Sequence, residues 1–239
     1  LLYIEFFALL SHVLVSIPAK MKLDLTMNDR FNQRFQSVYG GLVPQIARLV
    51  PFNDSEVTCI LMIYYKYSLQ NGPSARRITS SQFVNIVIGF QQLYDMDVVD
   101  RIVTLIAGGR KHVTPMEFVN YMTILMSRDM ERKMEFAYMV YDKNGMGINR
   151  EIISSSVERF FVGDDDEVLE MRLDMVDFLL LKFDEDQDGY ISFEEYRSIV
   201  LQQPRLLEFL GPIFPSDETR LVVAYCTAIY SHIPEMGTL

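Results

Sequence analysis

The chain has few of the residues from which most catalytic and transition-metal sites are built: two cysteines and three histidines among 239 residues. Cys59 and Cys226 lie far apart, and two cysteines do not make a disulfide framework, so a reducing compartment is the default. His12, His112 and His232 share no metal-ligand or catalytic spacing and read as surface or incidental positions. No nucleophile and base are spaced for catalysis, and no glycine loop of the phosphate-cradling kind is present, which argues against an enzyme. Basic stripes are absent too, and with a net charge of −10 the chain does not suit nucleic acid. Long hydrophobic runs are missing apart from Leu1 to Ala19. That stretch lacks a basic leading region, is interrupted by Glu5 and His12, and does not reach the roughly 20 nearly uncharged residues of a spanning helix. It reads as an amphipathic or loosely packed leader (1–21), with a signal or anchor as the alternative and Met21 and Met27 as candidate starts.

What is present is ordinary for a soluble globular protein: 49% apolar and 23% charged residues, enough for one good-sized core or two small ones. Fourteen methionines exceed the usual share and serve either as core filler or as the lining of an adaptable surface. The most informative stretch is DEDQDGYISFEE, Asp184 to Glu195, which fits D-x-[DN]-x-[DN]-G-x₅-E at every constrained position. Calcium takes about six to eight oxygens, and Asp184, Asp186 and Asp188 supply alternating carboxylates. Gly189 permits the sharp turn, the Tyr190 carbonyl offers a backbone oxygen, Ser192 can hold a water, and Glu195 closes the shell with both oxygens. Leu169, Leu173, Val176, Leu180 and Phe183 precede the loop at helical spacing; Phe193, Tyr196, Ile199 and Val200 follow it. Helix, loop, helix is the EF-hand unit.

The same unit recurs in weaker form. Ile78, Val113, Ile148 and Ile191 fall at equivalent places 35 to 43 residues apart, each the β-like residue expected to pair one hand with its neighbour. In the first hand, after a helix from a capped start at Asn53 to about Leu69, only Asn71 and Gln82 offer oxygen at the ends of the loop, and Pro73, Arg76 and Arg77 fill its middle. The second hand follows a helix expected to be capped at Asp97, and keeps Val113 and Glu117 but no upstream carboxylate. The third begins well with Asp142 and Asn144, then places Met146 where an oxygen is wanted, runs one residue short, and has Glu151 one place before the position of the closing glutamate. Asp142, Asn144 and Glu151 thus form a weak second metal candidate. The expected fold is all-α: two paired EF-hand lobes, four hands mostly degenerate, with N- and C-terminal helical extensions. The corresponding segments are 22–127 for the N-terminal extension and degenerate pair, 128–203 for the C-terminal pair, and 204–239 for a tail helix capped at Ser216.

The helix before the intact loop carries a second apolar stripe, Val168, Met171, Met175 and Phe178, which leaves Glu170, Asp174 and Asp177 as its polar edge. Such a helix is either deep in the core or lines a groove for a partner helix.

MERKMEFAYMVYDKNGMG (Met130 to Gly147), KFDEDQDGYISFEEY and LLEFLGPIFPS (Leu206 to Ser216) together resemble the calaxins, EF-hand proteins of outer-arm axonemal dynein. The similarity spans roughly Phe52 to Ser216. The resemblance implies a calcium-responsive, non-catalytic subunit associated with dynein heavy chain or its docking complex, cytoplasmic and located on the axoneme of motile cilia and flagella. Calaxins generally keep calcium ligands in more than one hand, and the eroded second and third loops depart from that pattern. The residues leave three alternatives open: a constitutive structural subunit with little calcium response, an EF-hand calcium sensor of another pathway, and, from the leader alone, a secreted or reticular protein.

Overall fold

The computed structural model describes residues 27–227 and Ile229; the leader Leu1 to Ala19 and His232 lie outside the described residues. Eleven α-helices and four two-residue strands occur within them. In chain order these are α1 (Asp29–Tyr39), α2 (Val43–Ala47), α3 (Asp54–Leu69), β1 (Ile78–Thr79), α4 (Ser80–Gln91), α5 (Met96–Ala107), β2 (His112–Val113) and α6 (Pro115–Met126). There follow α7 (Met130–Tyr141), β3 (Ile148–Asn149), α8 (Arg150–Val157), α9 (Asp166–Phe183), β4 (Tyr190–Ile191), α10 (Phe193–Gln202), a 3₁₀ turn at Pro204–Leu206, and α11 (Asp217–Thr227). The protein is an all-α EF-hand fold. No helix among the described residues is long and apolar enough to cross a membrane.

The four residues singled out by the repeat do pair. Ile78 faces Val113 and Ile148 faces Ile191, each in an antiparallel two-stranded ribbon, and all four side chains are buried. Two strands of this length have marginal stability alone, so the ribbon holds because helices cover it. A tyrosine ties each ribbon to the leading helix of its pair: the Tyr64 hydroxyl donates to the Val113 carbonyl at 2.6 Å, and the Tyr138 hydroxyl donates to the Ile191 carbonyl at 2.8 Å.

Two compact units divide the chain: Asp129–Ile213, and the residues up to Arg128 together with those from Phe214 onward. In the second of these, α3 is the central element. It starts at a full capping box, with the Asn53 side chain accepting from Glu56 N and Glu56 accepting from Asn53 N, and eleven of its sixteen residues are buried. Apolar residues lie all round it, as befits a helix enclosed by others. Helices α1, α2, α6 and α11 all pack on it. Phe35 and Tyr39 of α1 join Tyr64 and Tyr65 in an aromatic cluster with ring centroids 5.4 to 6.1 Å apart. Helix α5 is capped by Asp95, which accepts from Asp97 N and Val98 N, and not by Asp97 as the sequence suggested; the chain reaches extended geometry at Asp95, two residues earlier.

The tail helix α11 begins at Ser216, whose Oγ accepts from Thr219 N, and lies against α3, α4 and α6. Thr219, Val223, Ala224 and Thr227 are its buried face, with Ile229 buried just beyond. Gln92 ends α4 in left-handed geometry (φ 54°) and donates its side-chain N–H to Thr219 Oγ1 at 2.7 Å.

In the unit Asp129–Ile213 the core is aromatic. Phe209, after the last hand, stacks on Phe183 at 4.3 Å and lies 5.5 and 5.8 Å from Tyr141 and Tyr196. The Tyr141 and Tyr196 hydroxyls donate to the carbonyls of Gly211 and Leu207, both at 2.7 Å, so the segment through Leu207, Leu210 and Ile213 is seated among the helices of this hand pair and buried there.

Candidate metal centre

The fourth loop is held open by its own backbone. Asp184 is the C-cap of α9, with its N–H bonded to the Leu180 carbonyl. Its two carboxylate oxygens accept from Asp188 N and Gly189 N, Asp186 accepts from Asp188 N, and Asp188 accepts from Tyr190 N, at 2.8 to 3.2 Å. Short acidic side chains favour such bonds to backbone groups two to five residues on, and these fold the loop tightly. Gly189 takes φ 89°, which only glycine adopts at low cost. The outcome is a cluster in which Asp184, Asp186 and Asp188 each bring a carboxylate oxygen within 4.8 Å of the others. Among the described residues it is the one such group of acidic, histidine or cysteine side chains. Hard anionic oxygens at this spacing fit calcium.

Glu195 sits differently. Its Oε1 accepts from Glu185 N and Asp186 N, and its Oε2 accepts from Ser192 N and Oγ, at 2.7 to 3.3 Å. Partial burial raises the pKa of this carboxyl, but the donors from Ser192, Glu185 and Asp186 outweigh it and hold it below the usual range. Ser192 returns the bond, accepting from Glu195 N, so the pair forms the capping box of α10. Tyr190 faces Asn149 across the ribbon, and its side chain is exposed.

The other loops are closed by the protein itself. In the first, Asn71 and Gln82 occupy the first and last ligand places and bond each other: Asn71 Nδ2 donates to Gln82 Oε1 at 2.7 Å. In the second, Arg110 pairs with Glu117, the residue at the closing place; counting back from Glu117, Arg110 is at the fifth place, where a metal ligand would stand. A guanidinium thus sits where a bound cation would meet that carboxylate. Sequence reading passed over this residue, although an arginine at a ligand place facing a kept glutamate was a usable signal. In the third loop Asp142 caps α7 in nearly the same conformation as Asp184 caps α9, but Ile148 comes six residues later where Ile191 comes seven after Asp184. Asp142 is buried and accepts from Gly145 N and Gly147 N. Asn149 caps α8 by accepting from Ile152 N, which puts Ile152 in the place of Glu195; Asn144 and Glu151 are exposed.

Helix α9 departs from the first of its two readings, a helix deep in the core. Of its first stripe, Val176 and Phe183 are buried but Leu169 and Leu173 are 46% and 59% exposed. The helix packs on α8, α10 and β4, and these cover only the sector of Val176, Leu179 and Phe183. On the other flank Val168 and Met175 are half-buried, while Met171 and Phe178 are 41% and 59% exposed. It is therefore not a deep core helix.

No family model matches the chain. Human calaxin is 28% identical over 185 residues, 71% of this chain and 83% of that protein, and calaxin of Danio rerio is 26% identical over 181 residues, 71% and 84%. Calcineurin B of Naegleria gruberi is 33% identical over 110 residues, 44% of this chain and 60% of its own. The chain is thus similar to calaxins over about 71% of its length. Among the described residues it carries one loop of clustered carboxylates and three loops without such a cluster.

Proposed function

We propose that the chain is a non-catalytic, calcium-modulated adaptor, a subunit of the axonemal outer dynein arm or its docking complex that regulates ciliary or flagellar motility. One observation carries the reading: the clustered carboxylates of Asp184, Asp186 and Asp188 terminate a helix, α9, whose apolar flanks stand open. Asp184, Asp186, Asp188 and Glu195 would hold the ion, with the Tyr190 carbonyl and a water on Ser192. Calcium would supply the positive charge that lets four carboxylates converge. Glu195 joins that set by giving up its bonds to Glu185 N and Asp186 N, and since it stands in the first turn of α10, its shift is a shift of that helix. The flank of Val168, Met171, Met175 and Phe178 is the proposed partner surface, carried on the helix that the loop terminates.

Isothermal titration of the whole chain should find about one calcium site in the sensor range of roughly 10⁻⁷ to 10⁻⁵ M. Glu195→Gln should abolish it, and unchanged binding in that variant would sink the ligand assignment. For the partner, a pull-down from ciliated or sperm cells should recover outer-arm heavy chain or docking-complex subunits; recovery of neither rejects the axonemal placement in favour of a sensor in another pathway, a reading that the calcineurin B similarity supports. The closed first and second loops favour a second reading, a constitutive structural subunit. Equal partner affinity in calcium and in chelator selects it, because a ligand without differential affinity shifts no equilibrium.

A further inference from the structure

The negative charge of the chain is concentrated in one unit. Asp129–Ile213 has 20 acidic and 9 basic residues, a formal charge of −11, while the remainder has 12 acidic and 13 basic. Within that unit the charge borders the open apolar flanks of α9. Asp164, Asp165, Asp166 and Glu167 stand at its start, and Glu170, Asp174 and Asp177 run along its outer face between Leu169 and Leu173 on one side and Met171 and Phe178 on the other. Leu181, 82% exposed, continues the outer face toward the metal loop. Of the positive groups here, Arg172 donates to the Phe161 and Gly163 carbonyls and Arg150 pairs with Asp177, while Lys182 stands in the last turn of α9.

Exposed apolar side chains of this size on one helix mark an interaction surface, and the surrounding charge selects its partner. An anionic membrane or a nucleic acid would be repelled, and so would a second copy approaching through its own α9. We infer that the Met171–Phe178 flank of α9 docks a cationic amphipathic helix, whose apolar stripe covers Met171, Met175 and Phe178 and whose lysines or arginines face Glu170 and Asp174. The inference rests on the adaptor reading and names the chemistry of the partner segment. Apolar contact supplies the affinity, and the acidic edge sets orientation and on-rate.

The test uses the full chain and two synthetic helical peptides of one amphipathic pattern, leucine with lysine and leucine with glutamine. The lysine peptide should bind more tightly, and by less as salt is raised. Phe178→Gln, which leaves the charge unchanged, should weaken it by about thirtyfold if the ring is an anchor. Glu170→Gln with Asp174→Asn should cost about fivefold and remove most of the preference for lysine over glutamine. Both sites are solvent-exposed, and circular dichroism should show unchanged helix content. Equal binding of the two peptides overturns the cationic partner. Unaltered binding by both Phe178→Gln and Met171→Gln overturns the docking site, because it leaves only general attraction to an acidic protein; so does a preference for phosphatidylserine vesicles. Repeating the series in chelator separates the two readings: the same lysine preference and Phe178 dependence with and without calcium retains the docking site and removes calcium modulation.

Discussion

In the N-terminal hand pair the closing residue of each loop is engaged by another side chain, Gln82 by Asn71 and Glu117 by Arg110, and a tail helix of the same unit packs on the hands. In the C-terminal pair the third loop is capped through Asp142, the fourth presents three carboxylates with no basic partner among them, and the helix leading into it leaves its apolar flanks exposed. Both pairs have the same ribbon and the same tyrosine tie. A shared frame therefore does not entail a shared response: a loop without clustered carboxylates has little to gain from a cation, and one that gathers like charges does.

The sharpest way to break this contrast is at α11. Val223→Asp would bury an unpaired carboxylate in the N-terminal hand pair and should destabilise that unit by roughly 3 to 5 kcal/mol, seen as lost hydrogen-exchange protection in α3, α4 and α6. Calcium binding at the fourth loop should persist, and its loss would show that the two pairs are not separable.

Repair of the third loop is next. Met146→Asp and Ile152→Glu, with one residue inserted after Gly147, restore the missing oxygen, the length and the closing ligand, and should raise the calcium stoichiometry from one to two. Asn144→Asp alone should leave it at one. A second site appearing with Asn144→Asp would mean that ligand charge, and not loop length, is what the third hand lacks.

Tyr64→Phe and Tyr138→Phe each remove a buried hydrogen bond worth about 1 kcal/mol, measurable by denaturant unfolding. Only Tyr138→Phe, at the ribbon of the fourth loop, should also lower calcium affinity; an equal change from Tyr64→Phe would contradict the independence of the pairs. Arg110→Ala has a smaller effect, below about 1 kcal/mol because the pair is partly exposed, and should create no calcium site.

The smallest effect concerns pH. Glu195 has a folded pKa below its ordinary value, so the stability it contributes is full above the unfolded pKa and fades as pH falls through the folded one. The stability difference between wild type and Glu195→Gln in calcium-free buffer should accordingly shrink below the ordinary carboxylate range, and a constant difference down to the acid limit would assign it to something other than ionisation.

Much of this was legible because it is local. The ligand spacing of Asp184 to Glu195, the capping box at Asn53 and the four pairing residues depend on neighbours a few positions away, and the chain fixes those directly. The third loop was readable as short for the same reason. Three features were not. Asp95 and not Asp97 caps α5, since two adjacent candidates differ only in where the backbone turns extended. The Arg110–Glu117 pair was signalled only by an arginine at a ligand place, and its closure depends on that side chain reaching across the loop. The exposure of Leu169 and Leu173 depends on what fails to cover them, and periodicity reports only that a face is apolar.

The tail shows the division most plainly. Its sequence determined an apolar segment between Pro204 and Pro212 and a helix capped at Ser216. Tertiary structure decided that Leu207, Leu210 and Ile213 fill the aromatic core of one hand pair while Thr219, Val223 and Ala224 lie against helices of the other. Burial is proportional to apolar area and indifferent to direction, so an apolar stretch specifies that it will be covered, and only the assembled surfaces specify by what.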